Sequence, residues 1–207
     1  MNREEKKKLT KQQIINGAIA EFGVHSYAEA SANEISKKGN ISKGIIYHYF
    51  KNKDDLYLVC VKECFDNFTS FLASKEISFT NVEESIERYL DLRFQFFKER
   101  PFFRNIFTNV LLQPPKHLIE EISEIKKNLD KYNISFYEKV LDHMELKDDV
   151  SRKEAIEYFM LFQESFNHQF WKYEDRDYGM LFDEHEFKLR RLLKFMFYGI
   201  LKEETQE

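Results

Sequence analysis

The segment running from Ser31 to Lys53, SANEISKKGNISKGIIYHYFKNK, concentrates residue types that can meet a polyanion. Lys43 and Lys53 can neutralise phosphate charge, and Tyr47 and His48 can donate neutral or near-neutral hydrogen bonds to phosphate oxygens. Gly44 lets a backbone approach a partner closely. Taken alone, Tyr47-His48-Tyr49-Phe50 reads better as an ordinary aromatic packing cluster. The Ser42-Lys43-Gly44 prefix and the following Lys53 turn that reading toward phosphate. Other chemistries find less support. There is no Gly-rich phosphate loop, nucleophile elbow or paired-carboxylate arrangement. Glu120-Glu121 and Asp148-Asp149 read as solvated helix faces, and the six histidines show no H-x-x-x-H spacing. Asp183-Glu184-His185-Glu186 reads as acids complementing the positive end of a helix, not as a metal cluster. Cys60 and Cys64, four apart, lack further His or Cys partners and read as buried structural thiols. Neither an enzyme, a metal site nor a cofactor is expected.

The polyanion-facing residues need elements to hold them. Ser31 is placed to cap a short helix, with Glu34 at capping-box spacing. Gly39-Asn40 suit a tight turn with positive φ, and Ser42 caps a second helix running to about Phe50. At the start of that helix Ser42, Lys43, Gly44 and Ile45 lie where free N–H groups and the positive dipole end face outward. Upstream, Ile14, Ile15, Ala18, Ile19 and Phe22 form one apolar helical face, with Lys11 and Glu21 off it. Gly23 should end that helix as a residue tolerant of left-handed backbone. Lys51-Asn52-Lys53 make a short break before a fourth helix that opens on Asp54-Asp55. This is a helix-turn-helix, in which the second helix presents its N-terminal residues to base edges in the major groove. Charge agrees: residues 1–53 hold 10 Lys/Arg and 5 Asp/Glu, net +5, and the remainder is −9, giving −4 overall. Lys6-Lys7-Lys8 are expected to be a solvated, disordered end more than an arm reaching DNA.

Beyond residue 53 the periodicity predicts helices near 54–74, 81–99, 102–112, 116–146, 151–174 and 183–203. Pro101 and Pro114-Pro115 mark boundaries, Gly179 falls in the last connection, and Tyr132-Asn133 are a candidate bend. With 6 Gly and 3 Pro in 207 residues, the fold class is all-α: a three-helix head (1–53) and a body of about six helices (54–207).

Phe22-Gly23 with Tyr27, then Ser42-Lys43-Gly44, Tyr47-His48-Tyr49-Phe50 and Lys53-Asp54-Asp55-Leu56, resemble the DNA-binding signature of the tetracycline-repressor (TetR) family. The resemblance covers roughly residues 10–58. It implies a ligand-responsive transcriptional regulator with a variable helical body that binds effector and dimerises. It puts Ser31, Lys43, Tyr47, His48 and Lys53 at phosphates, and Lys43, Gly44, Ile45 and Ile46 near base edges, with Tyr49 and Phe50 as packing residues. Two positions depart from the pattern. The turn reads Gly39-Asn40-Ile41 where Ala-Gly-Val is usual, and Ser36 replaces a small apolar residue, which should loosen packing slightly.

The resemblance also implies double-stranded operator DNA as partner and a homodimer through the helices near 151–174 and 183–203. Their apolar stripes are Ile156, Phe159, Met160, Phe166 and Phe170, then Leu189, Leu192, Leu193, Met196 and Ile200. Of 21 Phe, 19 lie in the body. Most must build core, but two runs with polar neighbours are candidates for an effector pocket: Phe94, Phe97, Phe103, Phe107, then Tyr137, Phe162, Gln163, Phe166, Asn167 and Trp171. A repressor released by a small, mainly apolar effector is the reading; an activator, or a helical interaction protein responding to a protein or redox signal, is the alternative. Neither a secretory leader nor a membrane span is read, so a cytoplasmic protein is expected.

Overall fold

The computed structural model describes residues 2–172 and 178–200, with the side chains of Trp171 and Lys172 outside the description. All regular elements among them are helical: α1 Arg3–Phe22, α2 Ala32–Gly39, α3 Lys43–Tyr49, α4 Lys53–Ala73, α5 Val82–Glu99, α6 Pro101–Leu112, α7 Ile119–Leu141, α8 Arg152–His168 and α9 Tyr178–Ile200. Two 3-10 turns, Lys116–Leu118 and Gln169–Lys172, lie before α7 and after α8. None of the described helices is long and apolar enough to cross a membrane.

Several sequence expectations change. α7 is continuous through Tyr132-Asn133 and ends at Leu141, and Gly179 lies inside α9. α1 begins at Arg3, so Lys6-Lys7-Lys8 are helical: Asn2 accepts the Glu5 N–H while the Glu5 carboxylate accepts the Asn2 N–H, each at 2.8 Å.

The chain divides into two compact units. One comprises the residues up to Asn67 together with Phe97–Lys126. Its core holds Ile14, Ala18, Phe22, Ile35, Ile46, Phe50, Tyr57, Cys60 and Cys64, all buried. α6 contributes Phe107, whose ring lies 5.3 Å from Phe65 and 4.4 Å from Phe97. Asn109 accepts the Tyr57 hydroxyl at 2.8 Å. Burial pushes both thiols above their ordinary range, so they stay protonated. Gly23 closes α1 with ordinary right-handed backbone (φ −82°). Its lack of a Cβ serves packing: one added there would stand 2.6 Å from the Phe102 Cβ on α6.

The other unit comprises Phe68–Phe96 and the residues from Lys127 on. Tyr89, Phe136, Tyr137, Phe159 and Phe197 form an aromatic core with ring contacts of 4.5–6.2 Å. Inside this unit a charged pair is buried. The Arg93 guanidinium donates to both Glu186 oxygens, at 3.1 and 2.8 Å. His185 completes the cluster, one ring nitrogen 3.2 Å from Glu186 and the other 2.8 Å from Asn167, so these residues are spent on each other. The apolar stripes of α8 and α9 also resolve differently. Phe159, Phe166, Phe170, Leu189 and Leu193 are buried within the unit and build its core. A second set on the same helices faces outward: Tyr158, Leu161 and Phe162 on α8, Met180, Phe187, Phe195 and Tyr198 on α9.

Candidate nucleic-acid interface

The recognition surface is built by locking one side of α3 down and leaving the other free. Ile46 and Phe50, each 2% exposed, face the core, and Tyr49 is half-buried. Ile46 therefore anchors the helix and cannot reach base edges, correcting the place the resemblance assigns it. Lys43 and Gly44, and one turn on Tyr47 and His48, are exposed, as is Ile45. A Cβ at Gly44 would meet nothing within 4 Å, consistent with an open face. The Ser42 hydroxyl accepts the Ile45 N–H at 3.4 Å. Its own O–H remains available to donate, as a phosphate contact requires.

The turn before α3 is firmer than its departures from the family pattern suggest. Asn40 is left-handed (φ 50°, ψ 48°), which Asn tolerates through its short polar side chain. Ser36 does not loosen the packing: its hydroxyl donates to the Ile41 carbonyl, and the Ile41 N–H donates to the Ser36 carbonyl at 3.0 Å.

α2 is held by a residue the sequence pattern missed. Glu21, placed off the apolar face of α1, is 1% exposed. One carboxylate oxygen accepts the Ser31 N–H at 3.2 Å and the other pairs with Lys38 at 2.6 Å. A single buried acid thus ties both ends of α2 to α1. It also takes the place of Glu34 in the expected capping box: Ser31 Oγ accepts the Glu34 N–H, but Glu34 itself pairs with Lys37. A buried acid at helical spacing gives no sequence signal until its cation, 17 residues away, is known.

Lys53 is half-buried, and its ammonium lies 2.8, 3.4 and 3.3 Å from the carbonyls of Tyr27, Ala28 and Ala30. It also lies 4.4 Å over the Tyr27 ring. Three carbonyls occupy its three donors, so Lys53 fixes the loop that delivers Ser31. Tyr27 donates to Asp54, and burial followed by that carboxylate pushes its hydroxyl up to about 12.

The ten effector-pocket candidates are divided between the two units. Phe97, Phe103 and Phe107 belong to the first unit, and Phe94 and Phe162 face solvent. Tyr137 donates to Gln163 at 3.1 Å, and Phe166 and Asn167 surround His185. The side chain of Trp171 lies outside those described.

Comparison with known proteins follows the same division. Residues 14–60 match the family described as "Bacterial regulatory proteins, tetR family". The chain is 27% identical, over 80% of its length and 89% of the relative's, to the biofilm operon icaADBC HTH-type negative transcriptional regulator IcaR of Staphylococcus epidermidis. It is 34% identical over 94 residues to the transposon Tn10 TetC protein of Escherichia coli, where the match spans about half of that protein (47%). Among solved structures, the fatty acid degradation regulator FadR from Bacillus halodurans superposes with a TM-score of 0.61 at 19% identity, covering 87% of this chain and 97% of that one. Regulatory protein TetR from Rhodobacter sphaeroides gives 0.63 at 16% identity, covering 89% and 96%. Residues 14–60 thus carry the N-terminal domain of the tetR family of bacterial regulatory proteins, and the all-helical fold of the chain is similar to that of solved regulators.

Proposed function

We propose that this protein is a transcriptional repressor that binds operator DNA as a two-fold dimer and is released by a small, mainly apolar effector. The observation carrying the DNA-binding part is the outward set Lys43, Gly44, Tyr47 and His48 on a helix whose opposite side is fixed by Ile46 and Phe50. Residues 1–53 serve as the DNA-binding part, with Ser31, Ser42, Lys43, Tyr47 and His48 at phosphates and Gly44 and Ile45 beside bases. Residues 54–207 serve effector binding and dimerisation. The repressor sense is supported by the likeness to IcaR, a negative regulator. The protein acts in the cytoplasm, where its operator lies.

Selection of duplexes from a random library by the full chain tests this. The expected result is a two-fold symmetric sequence with half-site centres about 34 Å apart or slightly more. Enrichment of no sequence would overturn it.

The dimer uses the outward residues of α8 and α9. Tyr158, Leu161 and Phe162 lie at i, i+3 and i+4, and Phe187, Phe195 and Tyr198 follow one side of α9. A groove of about 220 Å³ lined by Ala155, Phe162, Met196 and Ile200 lies among them. Burying a Phe contributes about 1.5–3 kcal/mol, and two-fold symmetry counts each residue twice. Leu161→Arg with Phe187→Arg should therefore sediment as a monomer at micromolar concentration while wild type sediments as a dimer. A monomeric wild type would refute the interface.

The effector's character is argued from the second unit, where Asn133 accepts from Tyr89 and Gln163 from Tyr137 among the aromatics, and the buried charges of Arg93 and Glu186 are paired with each other. Such surroundings suit an apolar or aromatic molecule oriented by a few hydrogen bonds. Thermal-shift screening should yield lipophilic hits whose affinity operator DNA weakens by the factor by which they weaken operator binding. Hits confined to nucleotides or sugar phosphates would contradict this.

A further inference from the structure

The first turns of α1 are fully formed yet touch almost nothing. Every residue from Asn2 to Leu9 is exposed, although the helix is capped and continuous with the buried stretch from Ile14 to Phe22. This projecting part carries Arg3, Lys6, Lys7, Lys8 and, at its base, Lys11, against only Glu4 and Glu5. Glu5 is occupied by the capping box, and Glu4 makes one 3.4 Å pair with Lys7. Arg3, Lys6 and Lys8 have no ion-pair partner among the described residues.

The placement of these charges is specific. Arg3, Lys7 and Lys11 are spaced by four and share one face, which continues through Ile14, Ile15, Ala18 and Phe22, the side packed into the domain. Past the edge of the domain, the inward-facing side of α1 changes from apolar to cationic. The edge itself is marked by Lys11, whose ammonium lies 5.8 Å over the ring of Phe50, the residue that closes α3. From Lys11 to Arg3 the helix extends about 12 Å at 1.5 Å per residue, or roughly three to four base pairs of duplex. Like charges at i, i+4 disfavour a helix, and this exposed stretch has little packing to offset them. A polyanion laid along that face would.

We infer that the projecting turns of α1 are a second DNA-binding element, in which Arg3, Lys7 and Lys8 contact phosphates flanking the sequence read by α3. The inference rests on the reading of α3 as the recognition helix. The partner is duplex DNA outside the half-site, recognised by charge and not by sequence.

The test compares wild type with the Arg3→Gln/Lys7→Gln/Lys8→Gln variant; glutamine keeps helix propensity without charge. Two probes are used: a library-selected duplex cut at the outer edges of its half-sites, and the same sequence extended by about ten base pairs on each side, one helical turn. On the long duplex the variant should bind about tenfold or more weakly at moderate salt. Its log affinity–log salt slope should be shallower by about 0.9 for each phosphate it no longer neutralises, roughly 5 for a dimer in which each protomer gives up three. On the short duplex the two proteins should be equal. Equal affinity and slope on the long duplex, or an equal loss on both, would overturn the proposal while leaving α3 as the reader. A wild type that binds neither probe would overturn both.

Discussion

Glu186→Ala should destabilise the second unit by about 3–5 kcal/mol, the cost of leaving a guanidinium buried without its counter-charge. Arg93 is 1% exposed and Glu186 8%, so water cannot replace the missing partner. Arg93→Ala should cost a similar amount by stranding the carboxylate. The double change Arg93→Met with Glu186→Leu should recover most of the loss, because removing both charges also removes their desolvation penalty. The pair also sets an acid limit. Burial alone would raise the Glu186 pKa, but Arg93 and the hydrogen bond with His185 outweigh it and lower it from 4.5 to about 2. The folded state thus binds this proton more weakly than the unfolded chain does. Its contribution is complete above about 4.5 and drains away as pH falls toward about 2. Urea midpoints at about pH 7, 4 and 3 should show wild type losing stability that the Met/Leu double variant keeps. Parallel losses in the two proteins would contradict this account.

Gly17→Ala should disable the DNA-binding unit. In an open helix the change is favourable by up to about 1 kcal/mol. Here an added Cβ would stand 2.8 Å from the Gly39 nitrogen, 2.9 Å from the Gly39 Cα and 2.9 Å from the Ile35 carbonyl oxygen. These are backbone atoms, which no rotamer change can move, so α2 must shift away from α1. Overpacking of this kind costs about 1–3 kcal/mol and exceeds the propensity gain. Because α2 carries Ser31 at its start and leads through Asn40 into α3, the displacement also misaligns the recognition surface. Operator affinity should fall at least about tenfold while the second unit keeps its own unfolding transition. A variant with wild-type stability and affinity would show that the helices can yield.

The candidate DNA-binding surface is legible in the sequence because its logic is local. Caps at Ser31 and Ser42, a turn at Gly39-Asn40 and an outward quartet on one short helix are patterns within a short stretch of chain. What the sequence hides depends on distant partners. Gly17 looks like a weak point in α1 until Gly39 lies against it, and Glu21 looks solvated until Lys38 reaches it. Gly23 reads as a left-handed cap, whereas its close approach to Phe102, far along the chain, explains it. In α8 and α9 the apolar periodicity is visible, but a helix with two apolar sides does not reveal which faces its own core. Phe159 and Phe197 turn inward with rings 4.6 Å apart, and Phe162 and Phe195 turn outward. Abundant Phe likewise marks burial without saying against what.

The most direct test of α3 as the DNA-reading helix is a salt titration of operator affinity for wild type, Lys43→Ala and Tyr47→Ala, using a library-selected duplex. Both side chains are exposed, so both variants should keep wild-type thermal stability. Lys43→Ala should bind more weakly and flatten the log–log slope by about 0.9 per site, near 2 for a dimer. Tyr47→Ala should also bind more weakly but leave the slope unchanged, since a neutral hydroxyl displaces no counterion. Wild-type affinity and slope in both variants at matched salt would contradict the account.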